Sequence, residues 1–234
     1  MPLLEICTGS LDSVKAAAQG GADRVELCAG LEVGGLTPSA GYIRQALTIP
    51  GLRKHVLIRP RGGDFVYSDE EVEVILHDIE LCHQLGADGV VVGALTAAGD
   101  IDLSASKRFR EAAGTMSVTF HRAFDECSNP ALALEQLIEM GYDTILTSGQ
   151  APRTEEALPL LRSLNEQANG RITIMPGSGV SPVNAAHIIH ETGVVAIHAS
   201  AMDKTSLQHN TPLFPGYYAT SADIVAEIKA EITK

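Results

Sequence analysis

The sequence predicts an α/β protein with the (β/α)8 architecture of a TIM-type barrel, in a single domain spanning residues 1–234. Eight apolar strand-like stretches alternate with stretches that carry helix signals, which is the pattern of consecutive strand–helix units. Similar tripeptides at 21–23, 86–88 and 141–143 join a predicted helix to the next strand, as short αβ connections require. Hydrophobic residues make up 45% of the chain and aromatic residues 4%, which suits packed layers of aliphatic strands and helices.

Each predicted strand is a short run of mostly apolar residues. The eight runs lie at 3–7, 23–28, 55–59, 88–92, 116–120, 143–147, 172–175 and 194–198. A doubly wound open sheet is the alternative architecture. It is less favoured because no Gly-x-Gly-x-x-Gly motif follows the first strand.

Capping and turn signals place the predicted helices. Ser10 is an N-cap, and Ser68 forms a capping box with Glu71. The helices are expected at about 10–18, 39–47, 68–85, 102–113, 129–140 and 154–168, from 181, and at 221–232. Pro159 is expected to kink the sixth helix, and residues 199–220 are expected to form an irregular loop.

Charge and composition limit the class of partner. The net charge is -12, with 17 basic and 29 acidic residues, which argues against nucleic acid or an anionic membrane as the main partner. The sequence contains neither a signal-peptide pattern nor an apolar run of transmembrane length. We therefore expect a soluble cytoplasmic protein with reduced thiols.

Ionisable and polar side chains cluster where the predicted strands end. In a barrel of this type, the carboxyl-terminal strand ends and the following loops form the face that carries the site. Because side chains alternate along a strand, Glu5 shares a face with Cys7, and Glu26 shares one with Cys28. The other polar residues at these ends are Arg59, Arg61, His121, Arg122, Ser148, His198 and Ser200. Burying several charges is costly unless they pair or bind a ligand, so we predict one polar pocket.

The pocket has the residue types of an anion site with proton-transfer groups. His121, with Glu5 or Glu26, would move protons. Glycine-rich loops after the last two strands can bind an anion through backbone N–H groups. The residues expected to hold the anion are Arg59, Arg61, Arg122, Ser148, Gly177, Gly179, His198 and Ser200. A structural role is the alternative for any one of them, such as an ion pair between Glu26 and Arg59.

Two cysteines give a different possibility. Cys7 and Cys28 end neighbouring strands, which lie about 4.8 Å apart in a sheet. Two thiolates at that separation suit a soft ion such as Cu(I). The alternatives are two small apolar core residues or a disulfide.

These stretches resemble the CutC copper homeostasis family. The similarity runs from residue 3 to about residue 201, and the string Arg-Pro-Arg-Gly-Gly-Asp-Phe at 59–65 makes it specific. The matching stretches are 5–7, 21–28, 34–38, 58–65, 119–125, 146–149 and 198–200. One departure is Ala196, because similar proteins often have a glutamate at that position.

The resemblance implies a TIM-type barrel, a cytoplasmic location, a homodimer or higher homo-oligomer, and a role in copper handling. It also implies that Cys7 and Cys28 are the Cu(I) ligands. Two hypotheses follow for the ligand, which is either a copper ion or a small anion. The first is a copper-binding protein, and the second is an enzyme of unknown reaction that acts on a small anionic or phosphorylated substrate.

Overall fold

Eight parallel strands form a barrel in this computed structural model, which describes residues 1–213 and 215–234 and, of Ser206, the backbone only. The strands are β1 (Leu3–Thr8), β2 (Arg24–Leu27), β3 (Arg53–Leu57), β4 (Gly89–Val92), β5 (Ser117–Phe120), β6 (Thr144–Thr147), β7 (Thr173–Pro176) and β8 (Ala196–Ala199). Their hydrogen-bonded order is β7-β6-β5-β4-β3-β2-β1-β8. The predicted barrel is therefore confirmed, with β7 and β8 at the two ends of the sheet.

In the part of the chain that the structure describes, eight α-helices alternate with these strands. They are α1 (Leu11–Gln19), α2 (Ala40–Leu47), α3 (Asp69–Leu85), α4 (Leu103–Ala113), α5 (Pro130–Glu139), α6 (Leu158–Ala168), α7 (Ala185–Thr192) and α8 (Ala222–Ile232). The predicted N-cap at Ser10 and the capping box of Ser68 with Glu71 are both formed. Within the described residues, no helix is both long enough and apolar enough to span a membrane.

Side chains of the strands alternate between the helix-facing core and the barrel interior, as the period of two requires. On β1, Leu4 and Ile6 belong to the main apolar core, whereas Glu5 points inward. The strand register places Glu5 opposite Arg24 of β2 and opposite His198 of β8. Ionisable groups from three strands are thus brought to one level of the interior.

Two helix predictions are wrong in detail. The sixth helix does not begin at Thr154, because residues 154–156 form a separate 3-10 turn and α6 begins at Leu158. Pro159 consequently occupies the first turn of α6, where its missing N–H leaves no bond unmade, and the expected kink does not occur. The seventh helix begins at Ala185 rather than at Ser181, since a turn precedes it in which the Ser181 carbonyl accepts from the N–H groups of Asn184 and Ala185.

The segment predicted to be irregular contains a β-hairpin. Strand β9 (Met202–Gln208) pairs antiparallel with β10 (Tyr217–Thr220), and Phe214, in the connection, lies outside the described residues. The β10 end is attached to the barrel, because the Thr220 N–H donates to Ser13 Oγ on α1 at 3.1 Å. In the chain, the hairpin lies between β8, which ends at Ala199, and α8, which begins at Ala222.

Two glycines of the fourth strand–helix unit make room for interior histidines. A Cβ atom at Gly89 would lie 2.6 Å from His55 Nε2, and one at Gly93 would lie 2.5 Å from His121 Nδ1. Such distances are well inside van der Waals contact. Glycine at these positions is therefore required by the space that the two imidazole rings occupy.

We expect Gly89→Ala to lower the free energy of unfolding by about 1–3 kcal/mol, as overpacking of a core does, because the added methyl group would displace the His55 ring. Gly41→Ala is the matched control. Gly41 lies on α2, and a Cβ atom there would meet Ser39 Oγ at an ordinary contact distance of 4.0 Å, so alanine should be neutral or stabilise by up to about 1 kcal/mol. Urea unfolding of both variants measures this, and an unaltered midpoint for Gly89→Ala would contradict the packing argument.

Candidate functional site

The barrel interior holds a buried charged cluster centred on Glu5, which is 0% exposed. Its Oε2 accepts a hydrogen bond from Arg24 Nε, and its Oε1 lies 2.7 Å from His198 Nδ1. Both contacts follow from the register of β1 with β2 and β8. A buried carboxylate needs such partners, because an uncompensated charge is costly away from water.

Arg24 extends this cluster across the barrel. Its Nη2 contacts Met175 Sδ of β7 at 3.2 Å. The cluster therefore includes side chains from β1, β2, β7 and β8, which include both ends of the sheet. Among the described residues, β7 and β8 are not paired by a ladder of backbone hydrogen bonds. The side chains of the cluster connect these two strands instead.

The surroundings fix the charges of Glu5 and His198. Burial favours the neutral form of Glu5, but the Arg24 charge and the His198 hydrogen bond outweigh burial and lower the pKa of Glu5 to about 2. Burial likewise opposes a charge on His198, yet hydrogen bonds with Cys7 and Glu5 raise the pKa of His198 well above its usual value. At neutral pH the pair is therefore a carboxylate and an imidazolium.

A second carboxyl group, Glu26, lies near the other nitrogen of His198. Its Oε2 is 4.0 Å from His198 Nε2 and accepts a hydrogen bond from Cys28 Sγ at 3.3 Å. Burial raises the pKa of Glu26, and the His198 charge offsets only part of this effect. His198 thus lies between two carboxyl groups whose pKa values are shifted in opposite directions, an arrangement that favours proton transfer.

These groups border a cavity of about 280 Å³, here called the site cavity, at the carboxyl ends of the strands. It brings together residues that lie far apart in the sequence. The predicted site residues that line it are Cys7, Glu26, Cys28, Arg59, His121, Arg122, His198 and Ser200. Glu5 is reached from the cavity through His198, its hydrogen-bond partner.

Arg59 binds main-chain oxygens of the loops around the site cavity. Its Nη1 donates to the carbonyl groups of Val33 and Gly35 at 3.0 and 3.1 Å, and its Nη2 donates to the Gly63 carbonyl at 2.6 Å. These contacts replace the ion pair with Glu26 that the sequence left open. Arg59 therefore orders two loops and brings a positive charge to the cavity wall.

His121 follows β5 and packs against Phe65, with the two ring centroids 4.9 Å apart. The Arg59 guanidinium carbon lies 4.9 Å from the centroid of the same phenyl ring. The Ala123 N–H donates to His121 Nδ1 at 3.1 Å. Burial and the Arg59 charge lower the pKa of His121 to about 3, so this imidazole is neutral at physiological pH.

Arg122 and Ser148 are held together by Asp125. Arg122 donates from Nε to Asp125 Oδ2 at 2.8 Å and from Nη2 to Ser148 Oγ at 3.1 Å. The Ser148 N–H and hydroxyl also donate to Asp125. Ser148 is fully buried, whereas the Arg122 side chain is 46% exposed, so Arg122 is the member of the pair that is accessible to a ligand.

Besides Glu5 and Ser148, three predicted residues are absent from the lining of the site cavity. Arg61 pairs with Glu71 at 2.5 Å near the start of α3. Gly177 leaves space for Leu146 and His198, since a Cβ atom there would lie 2.7 Å from Leu146 Cδ1 and 3.3 Å from His198 Cβ. Gly179 lies beside Arg153. Their positions support the loops around the site without facing the cavity.

A second cavity of about 670 Å³, here called the hairpin cavity, lies beneath the β9–β10 hairpin. Tyr217 and Tyr218 of β10 line it, and so do Cys7, Leu31 and Met202. The last three residues also line the site cavity. The two cavities are therefore adjacent, and the hairpin covers the approach to the site from this side.

Sequence reasoning missed Arg24, Phe65 and Met202 as members of the site. Arg24 lies two residues before Glu26 on the same strand, so the period of two could have identified it. Phe65 follows the Arg59 loop and contacts both Arg59 and His121. Met202 belongs to the segment that was expected to be irregular and carried no local signal.

The thiols divide into two groups. All four cysteines are free, and Cys82 and Cys127 lie in the main apolar core. Cys7 and Cys28 line the site cavity and pack with Leu57. Among residues 1–213 and 215–234, no three His, Cys, Asp or Glu side chains are grouped so as to hold a metal ion.

Known proteins resemble this chain over most of its length. The model of the CutC family matches residues 2–203. A family protein CutC of Bacteroides fragilis is 54% identical over 204 residues, which cover 86% of this chain and 80% of the relative. One of Vibrio parahaemolyticus is 43% identical over 233 residues, which cover 98% of this chain and 93% of the relative.

A solved structure also matches. The crystal structure of CutC from Streptococcus agalactiae, described as a candidate copper homeostasis protein, has a TM-score of 0.82 and 37% sequence identity. The match covers 86% of this chain and 99% of the other. Ala196, the departure noted in the sequence, packs with Leu146 and Met175 in the barrel interior.

Two buried neutral histidines should make stability depend on pH. Burial lowers the pKa of His55 to about 4 and that of His121 to about 3, whereas an unfolded chain titrates near 6.5. Between about pH 6.5 and 4.5 the unfolded state therefore binds more protons, and stability is lost as the pH falls. His198 contributes little slope below about pH 5.5, because its raised pKa keeps it protonated in the folded state and the unfolded state is protonated there as well. We expect the free energy of unfolding to fall by about 1.4 kcal/mol per pH unit for each neutral histidine.

Urea unfolding at several pH values measures this slope. His121→Phe should reduce the slope of the free energy of unfolding against pH by the contribution of one histidine. His187→Gln, which changes an exposed histidine of α7, should retain the parent slope. An identical slope for His121→Phe and the parent protein would show that His121 titrates normally in the folded state.

Proposed function

The chain belongs to the CutC family, and from this we propose that it serves copper homeostasis by binding Cu(I) at Cys7 and Cys28. The observation that carries the proposal is that both cysteines are free and line one cavity. Their strands are neighbours in the sheet, and Cys28 N–H donates to the Thr8 carbonyl next to Cys7 at 2.9 Å. Soft sulfur ligands are the donors that Cu(I) prefers.

Two further residues of the cavity suit a bound Cu(I) ion. Met202 lines the site cavity together with the two thiols and offers a third soft donor, a thioether. The imidazolium of His198 lies beside Cys7 and would offset the negative charge of thiolate ligands. The proposal places the protein in the cytoplasm, where thiols stay reduced.

The test is anaerobic titration of the reduced protein with Cu(I) against a chromogenic chelator. We expect about one ion per chain, as two thiolates from one site allow. The double variant Cys7→Ser, Cys28→Ser should lose affinity by more than about 100-fold, because removal of ligands costs more than removal of their supporting partners.

The double variant Cys82→Ser, Cys127→Ser is the control. It removes the same number of thiols from the main core, so Cu(I) affinity should stay at the parent value. Undiminished binding by the Cys7, Cys28 variant would refute the proposed ligands. Equal losses in both variants would indicate adventitious binding to thiols.

A second function is supported by a separate observation, the position of His198 between Glu5 and Glu26. A histidine hydrogen-bonded to one carboxylate at 2.7 Å and 4.0 Å from another carboxyl group can pass a proton to or from a bound molecule. The function is that of an enzyme acting on a small anionic substrate, which the positive charges of Arg59 and Arg122 would attract. Glu26 lines the cavity and would exchange the proton with the substrate.

Solvent exchange tests this second function without knowledge of the full reaction. Small carboxylates and phosphate monoesters are incubated with the protein in D2O, and the loss of C–H signals is followed by proton NMR. We expect exchange with the parent protein and a loss of about 100-fold or more in Glu26→Gln, since general acid–base groups contribute at least that factor.

Glu166→Gln is the control for this experiment. It alters an exposed glutamate of α6 and should exchange at the parent rate. If no compound of the two classes exchanges, or if Glu26→Gln exchanges as fast as the parent, proton transfer by Glu26 is excluded.

A further inference from the structure

His121 carries a buried donor without an acceptor. The Ala123 N–H donates to Nδ1 at 3.1 Å, so Nδ1 carries the lone pair and the proton of the neutral ring is on Nε2. The residue is 4% exposed, and Nε2 has no hydrogen-bond partner among the described residues. A buried N–H without an acceptor costs free energy, and the same ring lines the site cavity.

Arg59 presents a second donor of this kind. Its two terminal nitrogens are engaged with main-chain carbonyl groups, but its Nε is buried and has no partner among the described residues. Phe65 packs against both side chains, with 4.9 Å to the His121 centroid and 4.9 Å to the Arg59 guanidinium carbon. The two unpaired donors therefore lie at one end of the site cavity, around a single phenyl ring.

The chemistry of these donors specifies what they can bind. Both groups donate, so the partner must be an acceptor, and the fixed charge of Arg59 favours an acceptor that is negative. The Tyr67 hydroxyl is close to Arg59: burial raises the pKa of Tyr67, and the charge and side-chain interaction of Arg59 offset part of that rise. Neither this hydroxyl nor Arg59 Nε has a partner at hydrogen-bond geometry among the described residues, so the contact leaves Arg59 Nε unsatisfied. An oxygen atom of a carboxylate or phosphate meets these requirements.

We propose that His121 Nε2 and Arg59 Nε form an oxyanion subsite of the site cavity, which binds a carboxylate or phosphate oxygen of a small ligand. The inference rests on the second function proposed above and names its substrate class. The volume of about 280 Å³ is at the lower end of that of small-molecule pockets, roughly 300–1,000 Å³. A ligand of a few heavy atoms besides the anionic group is therefore expected.

Arg122 completes the approach to this subsite. Its half-exposed guanidinium lines the same cavity, so it can attract an anion before the two buried donors engage it. His121 contributes as a neutral donor rather than as a charge, because burial and Arg59 keep it unprotonated. His121 should therefore add no pH dependence of its own between about pH 5 and 8, well above its lowered pKa, so any change of affinity in that range should follow the titration of the anion.

The oxyanion subsite is distinct from the proposed Cu(I) ligands. Nδ1 of His121 already accepts a hydrogen bond and Nε2 carries a proton, so neither nitrogen has a free lone pair for a metal. The cysteines lie on β1 and just after β2, whereas His121 and Arg59 follow β5 and β3. Anion binding and copper binding can therefore be lost independently.

The experiment follows the His121 Nε2–H resonance by ¹⁵N-edited NMR while inorganic phosphate or malonate is added. We expect one of the two anions to shift this resonance. A shift with phosphate alone would indicate a phosphate ligand, and a shift with malonate alone would indicate a carboxylate ligand. His121→Phe should lower the affinity for that anion by about 10- to 100-fold, as loss of a hydrogen bond to a charged group does. His121→Gln, which keeps a side-chain N–H donor, should recover part of the affinity.

The readouts separate the proposals. His121→Phe removes one unsatisfied buried donor but also deprives the Ala123 N–H of its acceptor, so its midpoint of unfolding should be somewhat lower than that of the parent. It should still fold and bind Cu(I) as the parent does. Anion binding without solvent exchange would leave the subsite standing and reject proton transfer by Glu26. If neither anion moves the His121 resonance, or if His121→Phe binds them as tightly as the parent protein, the oxyanion subsite does not exist.

Discussion

The buried carboxylate of Glu5 is the constraint on which the rest of the interior depends. A charge at that depth is tolerable only when both oxygens are satisfied, and they are satisfied by Arg24 of β2 and His198 of β8. Arg24 in turn reaches Met175 of β7. The cluster thus joins both ends of the sheet, so the charged side chains next to the site cavity also help to close the barrel.

Two kinds of donor share the site cavity. Cys7, Cys28 and Met202 supply soft sulfur atoms, whereas His121 and Arg59 supply N–H groups that suit hard oxygen acceptors. They are contributed by different strand ends of one barrel, which is how this architecture combines unrelated chemistries on a single face. The family relationship favours the sulfur donors, and the unpaired buried N–H groups favour the oxygen acceptors.

The sequence predicted the barrel and most of the cavity lining because one rule governs both, the alternation of side chains along strands that end on one face. It could not specify partners. Arg59 was a candidate partner for Glu26, but three carbonyl groups from folded loops compete for its guanidinium. Arg24 was overlooked because it lies at the start of its strand, and its long side chain then reaches inward to Glu5. Hairpin β9–β10 was missed although Pro215 and Gly216 directly precede β10, because the stretch Met202–Gln208 is mostly polar and does not read as a strand. Thr220 of the hairpin is held by a tertiary contact with α1.

The family model ends at residue 203, and the hairpin begins at Met202. The side chains of the charged cluster and those that cover the hairpin cavity are thus encoded in separate parts of the chain. Tyr217 and Tyr218 can therefore diverge without disturbing Glu5 or its partners. Substitutions in the hairpin could change which molecules reach the barrel while the residues of the charged cluster stay the same. Relatives with the same interior therefore need not share a ligand.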